Sequence, residues 1–531
     1  MTQQYSTPLL AKVDGYRNVT ELLTRRAAEA PLHIVFEVPS ASGNLAEPWR
    51  SVTTQEFLTE VSSLAKGFIA AGVNDGDAIA IMSATRYAWA VVDLAAWFAG
   101  AVVVPIYDTS SPTQVAAIVR DANVKLAVGG SAEQVRVLRQ AIEETGVSAL
   151  GVWAMDVEAV TGTIGDLAGR SDEITDDDLE RRRTAAGPDS PATIVYTSGT
   201  TGEPKGVVLT HRNFLGQVLN IAAAYGEVVY PSGNTIIFLP LAHVLARGLQ
   251  LICLASGMRI AHLSDPADVV ATLGVLKPTF LVVVPRVLQK VQAAAAQKAS
   301  DAHLSRVWRA ARSTAIRWGM YCEDKDAGDA DRPAAGLRAR HAVFDRLFFR
   351  RLRAIVGGRI DYILSGGATL DAELSLFFRG AGVPIIEGYG LTETTAPFTG
   401  NLPGSIWSGT VGRPLPGLTV RISDAGEVLA RGIGVFEGYR NPKHNLGAFV
   451  DGFFRTGDLG HLDEQGRLIL RGRLKDVIVT SNGKTIVPTV WGNAVASDPL
   501  VSHAVMVGEG RPYLSALLVL DPEEVELWAR T

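Results

Sequence analysis

The chain has 531 residues, of which 47% are hydrophobic and 20% are charged, and its formal net charge is −5 at pH 7. This length predicts at least two domains, because a single domain usually spans about 100–200 residues. The composition excludes a mostly disordered chain, and the nearly balanced charge argues against a general nucleic-acid-binding protein.

The first residues of the chain, MTQQYSTPLLAKVDG, lack the basic start and apolar core of a secretory signal. Two cysteines, Cys253 and Cys322, are too few for a disulfide framework or a cysteine-based zinc site. Residues 88–106 are apolar, but Asp93, Pro105 and a change from helical to β-branched texture favour a buried helix and strand over a membrane span. The sequence therefore predicts a soluble, cytoplasmic protein.

Short apolar runs alternate with helical patterns through most of the first 411 residues. Between residues 72 and 130, the predicted strands are DAIAIMSA, AVVVPIY and VKLAVGG, and the predicted helices are AWAVVDLAAWFAG and PTQVAAIVRDA. The strand texture returns at residues 235–239, 259–262, 279–284 and 361–365. This alternation is typical of parallel sheets covered by helices, so we predict an α/β fold for residues 1–411.

Two polar stretches, residues 171–193 and 323–336, are predicted surface loops. The second loop separates two predicted helices, at residues 287–321 and 337–356. The later helix carries an apolar stripe beside several arginines, a pattern also found in helices that lie on anionic membranes. We favour docking of this helix on its own domain with a solvated basic face, and peripheral contact with the inner membrane surface is the alternative.

The pattern of apolar residues along the sequence changes again after residue 411. Residues 412–473 contain short strand patterns separated by turns and are predicted to form a β-rich subdomain of the N-terminal domain. Residues 474–531 are predicted to be a hinge and the beginning of a small α+β C-terminal domain.

The most specific segment is Tyr196–Val207, with the sequence YTSGTTGEPKGV, at the end of an apolar strand. Its glycines let backbone N–H groups turn toward an anion, its hydroxyl side chains add donors, and Lys205 is one of only 11 lysines in the chain. The spacing differs from both the Walker A pattern and the dinucleotide-binding fingerprint. Alone, the segment is equally consistent with an anion-binding loop and with a mobile surface turn.

Five further motifs follow this loop in the chain: FLPLAH at residues 238–243, SGGA at 365–368, EGYGLTET at 387–394, RTGD at 455–458 and GRLKD at 472–476. With these motifs in this order, about residues 20–520 resemble the adenylate-forming, or AMP-binding, superfamily, which includes acyl-CoA synthetases, luciferases and peptide-synthetase adenylation domains. The extended motif FLPLAHVLAR, the tripeptide PRV and the insertion before SGGA resemble the long-chain fatty acyl-CoA synthetase branch.

The resemblance implies where the functional residues lie. The implied ATP-binding residues are Thr197, Ser198, Gly199, Thr200, Thr201, Gly202, Gly366, Gly367, Ala368, Gly388, Tyr389, Gly390, Asp458 and Arg473. Catalytic roles are implied for Lys205, His243, Thr392 and Lys475, of which Lys475 occupies the hinge position. Mg²⁺ is the implied metal, with Thr200 and Glu393 as ligands, because Mg²⁺ prefers oxygen ligands together with substrate phosphates.

The function implied by the resemblance is activation of a long-chain fatty acid by ATP. An acyl-adenylate would form with release of pyrophosphate, and the acyl group would then pass to coenzyme A. Two alternatives stay open: transfer to a carrier protein by a fatty acyl-AMP ligase, and a catalytically impaired acyl-adenylate-binding protein. Acyl chain length and oligomeric state are not predicted, and no nucleic-acid partner is expected.

The end of the sequence departs from the family pattern. The resemblance implies a longer C-terminal domain with a lysine needed for adenylation, whereas 56 residues follow Lys475 and the only lysine among them is Lys484. Lys484 is too close to the hinge to match that lysine. The C-terminal domain is therefore expected to be either truncated or naturally short. We favour truncation and expect slow adenylation by this chain.

Overall fold

The structure is a computed structural model that describes residues 3–40, 44–156, 162–198, 204–330, 332–496, 498 and 500–529. Within these ranges, helices alternate with the strands of two large, mostly parallel sheets, and an antiparallel sheet and a small C-terminal unit follow. This architecture confirms the predicted α/β class.

The strands of the described residues are β1 Gln4–Ser6, β2 Ile34–Val38, β3 Arg50–Thr53, β4 Ala78–Met82, β5 Val102–Ile106, β6 Val124–Gly129, β7 Gly151–Ala154, β8 Pro191–Ser198, β9 Pro204–Thr210, β10 Asn234–Ile237, β11 Arg259–His262, β12 Phe280–Val283, β13 Tyr362–Ser365, β14 Ile385–Tyr389, β15 Thr399–Gly400, β16 Arg413–Pro414, β17 Leu418–Ile422, β18 Glu427–Gly432, β19 Phe449–Val450, β20 Phe453–Leu462, β21 Leu468–Arg473, β22 Ile478–Val479, β23 Thr485–Ile486, β24 Val501–Val507 and β25 Ser515–Leu520.

The α-helices of the described residues are α1 Glu21–Glu29, α2 Thr54–Ala70, α3 Tyr87–Phe98, α4 Pro112–Ala122, α5 Ala132–Thr145, α6 Ile164–Ala168, α7 Asp176–Arg183, α8 His211–Ala224, α9 Val244–Ser256, α10 Val269–Leu276, α11 Pro285–Asp301, α12 Ser305–Ala327, α13 Ala335–Phe344, α14 Arg350–Ile355, α15 Ala372–Gly380, α16 Pro488–Ala496 and α17 Pro522–Ala529.

Two sheets form the body of the molecule. The first has the strand order β7-β6-β4-β5-β8-β9, and the second has the order β16-β15-β14-β13-β12-β10-β11-β2-β3. Every residue of β4 and β5 is buried, as expected for parallel strands covered on both faces. Ile79 and Ile81 of β4 pack into one large apolar core, whereas Ala80 and Met82 pack into a smaller core on the opposite face.

The β-rich region differs from the prediction for residues 412–473 in two respects. The antiparallel sheet has the order β1-β17-β18-β20-β19, with β21 paired to β20, so it recruits a strand from the beginning of the chain. In addition, β16 belongs to the second large sheet, where it pairs with β15. Three-residue and two-residue strands carry too little periodicity to be recognised from sequence.

The predicted surface loop over residues 171–193 contains a helix, α7. Thr175 caps its N-terminus, with Oγ1 accepting a hydrogen bond from the Asp178 N–H. Three aspartates occupy the first turn and three arginines the last, an arrangement that favours the helix macrodipole. The clustered charges that suggested a linker therefore stabilise a short surface helix.

The helices around the second polar loop also differ in their bounds from the prediction. Residues 287–321 form two helices, α11 and α12, and α12 continues through Ala327 into the predicted loop. The prediction for residues 337–356 corresponds to α13 and α14, joined without a break by a π-helical turn at Asp345–Phe349. No helix in the described ranges has both the length and the apolarity needed to cross a bilayer.

The C-terminal unit follows Lys475 and contains two antiparallel pairs, β22–β23 and β24–β25, with α16 and α17. All six residues of β25 are exposed, including Leu517 and Leu520. An ion pair joins this unit to the body, because Nη2 of Arg286, at the start of α11, lies 2.8 Å from Oδ2 of Asp521.

Candidate active site

A cleft of about 660 Å³ lies where the two sheets of the body meet the antiparallel sheet. Its walls come from the end of β8 in the first sheet, the ends of β13 and β14 in the second, and β18, β20 and β21 in the antiparallel sheet. Ligands of α/β proteins bind outside the carboxyl ends of parallel strands, which is the position of this cleft.

Most of the residues implied by the sequence resemblance line this cleft, namely Thr197, Lys205, His243, Gly366, Gly367, Gly388, Tyr389, Gly390, Thr392, Glu393, Arg473 and Lys475. Asp458 stands behind the wall, where it is hydrogen-bonded to Tyr389. Ala368 is exposed and lies outside the lining. The side chain of Ser198 and residues Gly199, Thr200, Thr201 and Gly202, which include one predicted metal ligand, lie outside the described residues.

One wall brings together a cation, hydroxyl groups and a carboxylate. The antiparallel pairing of β8 and β9 places Thr197 opposite Lys205, whose Nζ lies 5.7 Å from the centre of the Tyr439 ring. The Tyr439 hydroxyl donates a hydrogen bond of 2.8 Å to Oε1 of Glu393. Burial and the neighbouring Glu393 raise the pKa of Tyr439, so its phenol stays protonated and acts as the donor.

A second wall holds a carboxylate between two donors. Oδ2 of Asp458 accepts a 2.7 Å hydrogen bond from the Tyr389 hydroxyl, and its Oδ1 lies 3.1 Å from Nε of Arg473. Burial raises the pKa of Asp458, whereas Tyr389 and Arg473 oppose this effect. The carboxylate lies within the continuous strand β20 and is paired in register with Arg473 of β21, so its position is fixed by the sheet.

His243 caps the N-terminus of α9 at the edge of the cleft. Its Nδ1 accepts a hydrogen bond of 3.1 Å from the Leu245 backbone N–H, so the neutral ring carries its proton on Nε2. The surrounding protein lowers the pKa of His243 below its usual value, although the ring is open to the cleft. At pH 7 this imidazole is therefore mainly neutral, with Nε2–H available as a donor.

Two glycines of the cleft are required by the backbone itself. A Cβ on Gly390 would lie 2.9 Å from the Phe398 nitrogen, closer than real side chains approach backbone atoms. Gly367 has a φ of +80°, which other residues rarely adopt. At both positions glycine satisfies a local backbone requirement as well as leaving room in the cleft.

The polar side chains of the lining that sequence reasoning missed include Tyr439 and Glu427. Glu427 accepts hydrogen bonds from Arg455 and from the Gly457 N–H, and so fixes the RTGD segment. Neither residue lies in a motif with informative spacing. The aromatic–glycine stretch around Tyr439, GVFEGYRN, is the only local signal that could have indicated it.

An apolar cavity adjoins the cleft. It has a volume of about 30 Å³ and is lined by Ile221, Tyr225, Val228, Val229, Leu245, Leu249, Ile252, Phe280, Val282, Leu364, Ile386 and Pro397. Leu245, Leu364 and Pro397 also line the cleft, so the two spaces share a wall. The cavity is much smaller than ligand pockets of about 300–1,000 Å³, and its side chains would have to move to admit an alkyl chain.

The chain belongs to the AMP-binding enzyme family, whose model matches residues 23–440. The AMP-binding enzyme C-terminal domain matches residues 475–529. The chain is 38% identical to the long-chain-fatty-acid–CoA ligase FadD15 of Mycobacterium bovis, over 99% of this chain and 86% of that protein. It is 29% identical to the long-chain-fatty-acid–CoA ligase 1 of Cavia porcellus, over 91% of this chain and 71% of that protein.

The fold is also that of a solved structure, the anthranilate CoA ligase AuaEII in complex with anthranoyl-AMP. The TM-score is 0.74 at 18% sequence identity, over 97% of this chain and 89% of that chain. These findings confirm the superfamily and branch that the sequence motifs predicted. Truncation of the C-terminal domain stays a prediction.

Proposed function

We propose that this protein is a long-chain fatty acid–CoA ligase that works in two steps. In the first step, a carboxylate oxygen of the acid attacks the α-phosphorus of ATP, and the bond to pyrophosphate breaks. In the second step, the thiol sulfur of coenzyme A attacks the acyl carbonyl, AMP leaves, and the thiol proton is released. The observation that carries the proposal is the shared wall between a polar, cation-bearing cleft and an apolar cavity.

The main obstacle to the first step is electrostatic, because an anionic acid must approach a polyanion. Lys205 supplies positive charge at the cleft wall, and Thr197 and Thr392 supply hydroxyl donors for phosphate oxygens. The neutral His243 is assigned to orient the acid carboxylate through Nε2–H, at the boundary between the cleft and the cavity. Such preorganised donors lower the barrier mainly by alignment and charge stabilisation.

The donor set of the cleft fits Mg²⁺. Among the residues that the structure describes, no cluster of three His, Cys, Asp or Glu side chains offers a closed metal cage. Glu393 offers a carboxylate beside Thr392 and Lys205, which suits an ion that takes most of its ligands from phosphates and water. When bound, Mg²⁺ would neutralise phosphate charge, and Tyr439 would hold the Glu393 carboxylate in place.

The remaining polar residues of the cleft bind the nucleoside. Asp458 is assigned to accept the ribose hydroxyls, in exchange for its present partners Tyr389 and Arg473. Gly366 and Gly367 have no side chain, and the adenine ring is assigned to the backbone surface that they leave open. Lys475 is the first residue of the C-terminal domain match and also lines the cleft. We assign it as the hinge at which the chain changes conformation between the two reaction steps.

The apolar cavity is the entrance for the acyl chain. Transfer of each CH₂ group from water to an apolar site is worth about 0.8 kcal/mol, so a long chain can offset the displacement of several lining side chains. Leu249 and Ile252 extend the cavity along α9, away from the wall that Leu245 shares with the cleft. The relatives named as long-chain-fatty-acid–CoA ligases support this choice of substrate.

The proposal includes a peripheral contact with anionic lipid through the continuous helix formed by α13, the π-helical turn and α14. Val343 and Leu347 are 55% and 46% exposed, and Arg346, Arg350 and Arg351 are exposed beside them. Apolar side chains surrounded by arginines match an anionic membrane surface, where long-chain acids partition.

ATP–pyrophosphate exchange tests the first step. Purified protein is given ATP, Mg²⁺ and single acids from octanoate to stearate, and we expect exchange to increase with chain length. Coenzyme A or a phosphopantetheinylated carrier protein is then added, and we expect a thioester only with coenzyme A. Lys205→Ala should lower kcat about 100-fold or more, whereas the exposed control Lys298→Ala should not.

Three results would contradict the proposal. Absence of exchange with every acid would remove the adenylation step. A thioester formed only on the carrier protein would change the acceptor. Full activity of Lys205→Ala would show that the reaction does not use this cleft.

A further inference from the structure

A second cluster of charge lies inside the body. Nε of Arg247 in α9 lies 2.9 Å from Oδ2 of Asp93 in α3, and Nη2 lies 2.5 Å from Oδ1, so the pairing is bidentate. The Arg247 side chain is 1% exposed and that of Asp93 is 0% exposed. The guanidinium also lies 4.5 Å from the centre of the Trp97 ring and 5.4 Å from that of Phe214.

The remaining guanidinium nitrogen reaches the strand that leads to the phosphate-binding segment. Nη1 of Arg247 donates a 2.7 Å hydrogen bond to Oγ1 of Thr193 in β8, and that hydroxyl donates to the Val103 carbonyl of β5. Thr193 is completely buried. Four residues further along the same strand, Thr197 lines the cleft.

On the α9 side, Arg247 lies in the first helical turn. Its backbone N–H donates to the carbonyl of His243, which caps the helix and lines the cleft. Leu245, between these two residues, lines both the cleft and the apolar cavity. One buried arginine therefore joins the elements that position the imidazole, the shared wall and the hydroxyl of Thr197.

A buried ion pair is not needed to fill a core. Replacement of such a pair by apolar residues of similar volume is often neutral or stabilising, because both charges had to leave water. The bidentate pairing and the third hydrogen bond restrict orientation far more than apolar packing does. Desolvation of the two charges costs free energy, and the hydrogen bonds of the pair fix the orientation of α9, α3 and β8 relative to one another.

We propose that Arg247 is a positioning residue for adenylation, which rests on the proposed function of the cleft. Through Asp93 and Thr193 it fixes the start of α9 and the end of β8 relative to each other. The distance between His243 and Thr197 is thereby set from within the core. Small displacements of reacting groups lower rates strongly, by up to about 100-fold for 1 Å.

The test separates position from stability. Arg247→Met/Asp93→Leu removes both charges and keeps the volume apolar. We expect an unfolding midpoint in urea equal to that of the wild type, a kcat for ATP–pyrophosphate exchange at least about tenfold lower, and a KM for ATP within about twofold. Arg247→Lys keeps the charge but loses the bidentate geometry. Its kcat should therefore also lie below that of the wild type.

A buried pair away from the cleft provides the matched control. Arg379 and Glu323 are 7% and 9% exposed, and the contacts of Arg379 lie in α12 and at Ile406. Arg379→Met/Glu323→Gln should lower the unfolding midpoint and leave kcat unchanged. Thr193→Val keeps the Asp93–Arg247 pair and removes the hydrogen bond from Arg247 to β8, together with that from Thr193 to the Val103 carbonyl. It decides the question should the Arg247 double variant not fold, with an expected loss in kcat of about threefold or more.

Hydrogen–deuterium exchange supplies a readout that does not require activity. In the Arg247 double variant we expect faster exchange confined to residues 193–198 and 243–249. A folded double variant with wild-type kcat and unchanged exchange in these segments would overturn the inference, as would wild-type behaviour of Thr193→Val. Absence of pyrophosphate exchange in the wild type itself would instead contradict the proposed function, and the amide exchange would still test the positioning role.

Discussion

Two aspartate–arginine pairs in this molecule have the same chemistry and opposite surroundings. Asp458 and Arg473, at the cleft, are 8% and 49% exposed, and their closest atoms lie 3.1 Å apart. Asp93 and Arg247, in the core, are 0% and 1% exposed and lie 2.5 Å apart. In the cleft the arginine can turn into solvent and leave the carboxylate to another partner. In the core neither side chain has an alternative partner in water.

The difference shows how burial decides what an ion pair can do. A pair with one partner open to a cleft contributes little to stability, because water screens and solvates the exposed charge, here that of Arg473. It can therefore be exchanged for a ligand at low cost. A pair without access to water is strongly destabilising to break, because the remaining charge has no solvation. The first pair suits binding, and the second suits the fixing of a geometry.

Breaking the core pair from one side should have the largest effect. Asp93→Ala leaves the Arg247 guanidinium buried without its counter-ion, and we expect a loss of about 3–5 kcal/mol in the free energy of unfolding. Urea denaturation followed by tryptophan fluorescence measures this loss. A loss below about 1 kcal/mol, comparable to that of a surface pair, would remove the contrast between the two sites.

Breaking the cleft pair should change binding while stability is largely kept. Asp458→Asn removes the charged acceptor, whose hydrogen bonds are worth about 1.5–3 kcal/mol each, so we expect ATP affinity to fall about 10- to 100-fold. Isothermal titration calorimetry measures the affinity, and urea denaturation should show a change of less than about 1 kcal/mol. A stability loss as large as that of Asp93→Ala would place Asp458 among the structural residues.

The pH dependence of ATP binding provides a second test of the role of the Asp458 carboxylate. Burial raises the pKa of Asp458 above its usual value, so the carboxylate is ionised above that pKa and protonated below it. Wild-type affinity should therefore be full above the raised pKa and fall as the pH drops through it. Asp458→Asn has no such group, and the difference between the two pH profiles isolates its contribution.

The smallest effects are expected for exposed arginines that lie in neither pair. Each of Arg346, Arg350 and Arg351 should contribute about 1 kcal/mol to binding of anionic vesicles. Conversion of each to Gln should lower vesicle partitioning about fivefold in a sedimentation assay with phosphatidylserine vesicles, because 1.4 kcal/mol corresponds to a factor of ten. Activity with a water-soluble acid should not change. Equal partitioning of the wild type and the triple variant would contradict the membrane contact.

The sequence predicted the architecture well wherever apolar periodicity was long and uniform. Strands β4, β5 and β6 and helices α3 and α4 are found where the hydrophobic pattern placed them, because buried parallel strands consist of continuous apolar runs. Helix α7 was missed because capping and charge order, and not hydrophobic periodicity, stabilise it. Strands β1 and β16 were missed because so few residues carry too little periodicity, and the partner of β1 also lies near the other end of the chain.

In the candidate site too, residues inside local sequence motifs were predicted, whereas residues whose roles depend on distant contacts were not. Residues inside local motifs, such as Lys205 and Thr392, are found in one cleft because each motif follows a strand of a sheet whose carboxyl end borders it. The roles of Tyr439 and the Arg247 cluster were not predicted, since they depend on contacts with Glu393, Asp93 and Thr193 that no spacing reveals.

Leu245 gives the molecule a mechanical link between substrate size and chemistry. Its side chain forms part of the partition that an entering hydrocarbon must displace, while its backbone N–H holds the imidazole of His243. Under the proposed function, rearrangement of that partition would displace the imidazole that is assigned to orient the carboxylate. Preference for long acids would then be expressed in the speed of activation as well as in the strength of binding.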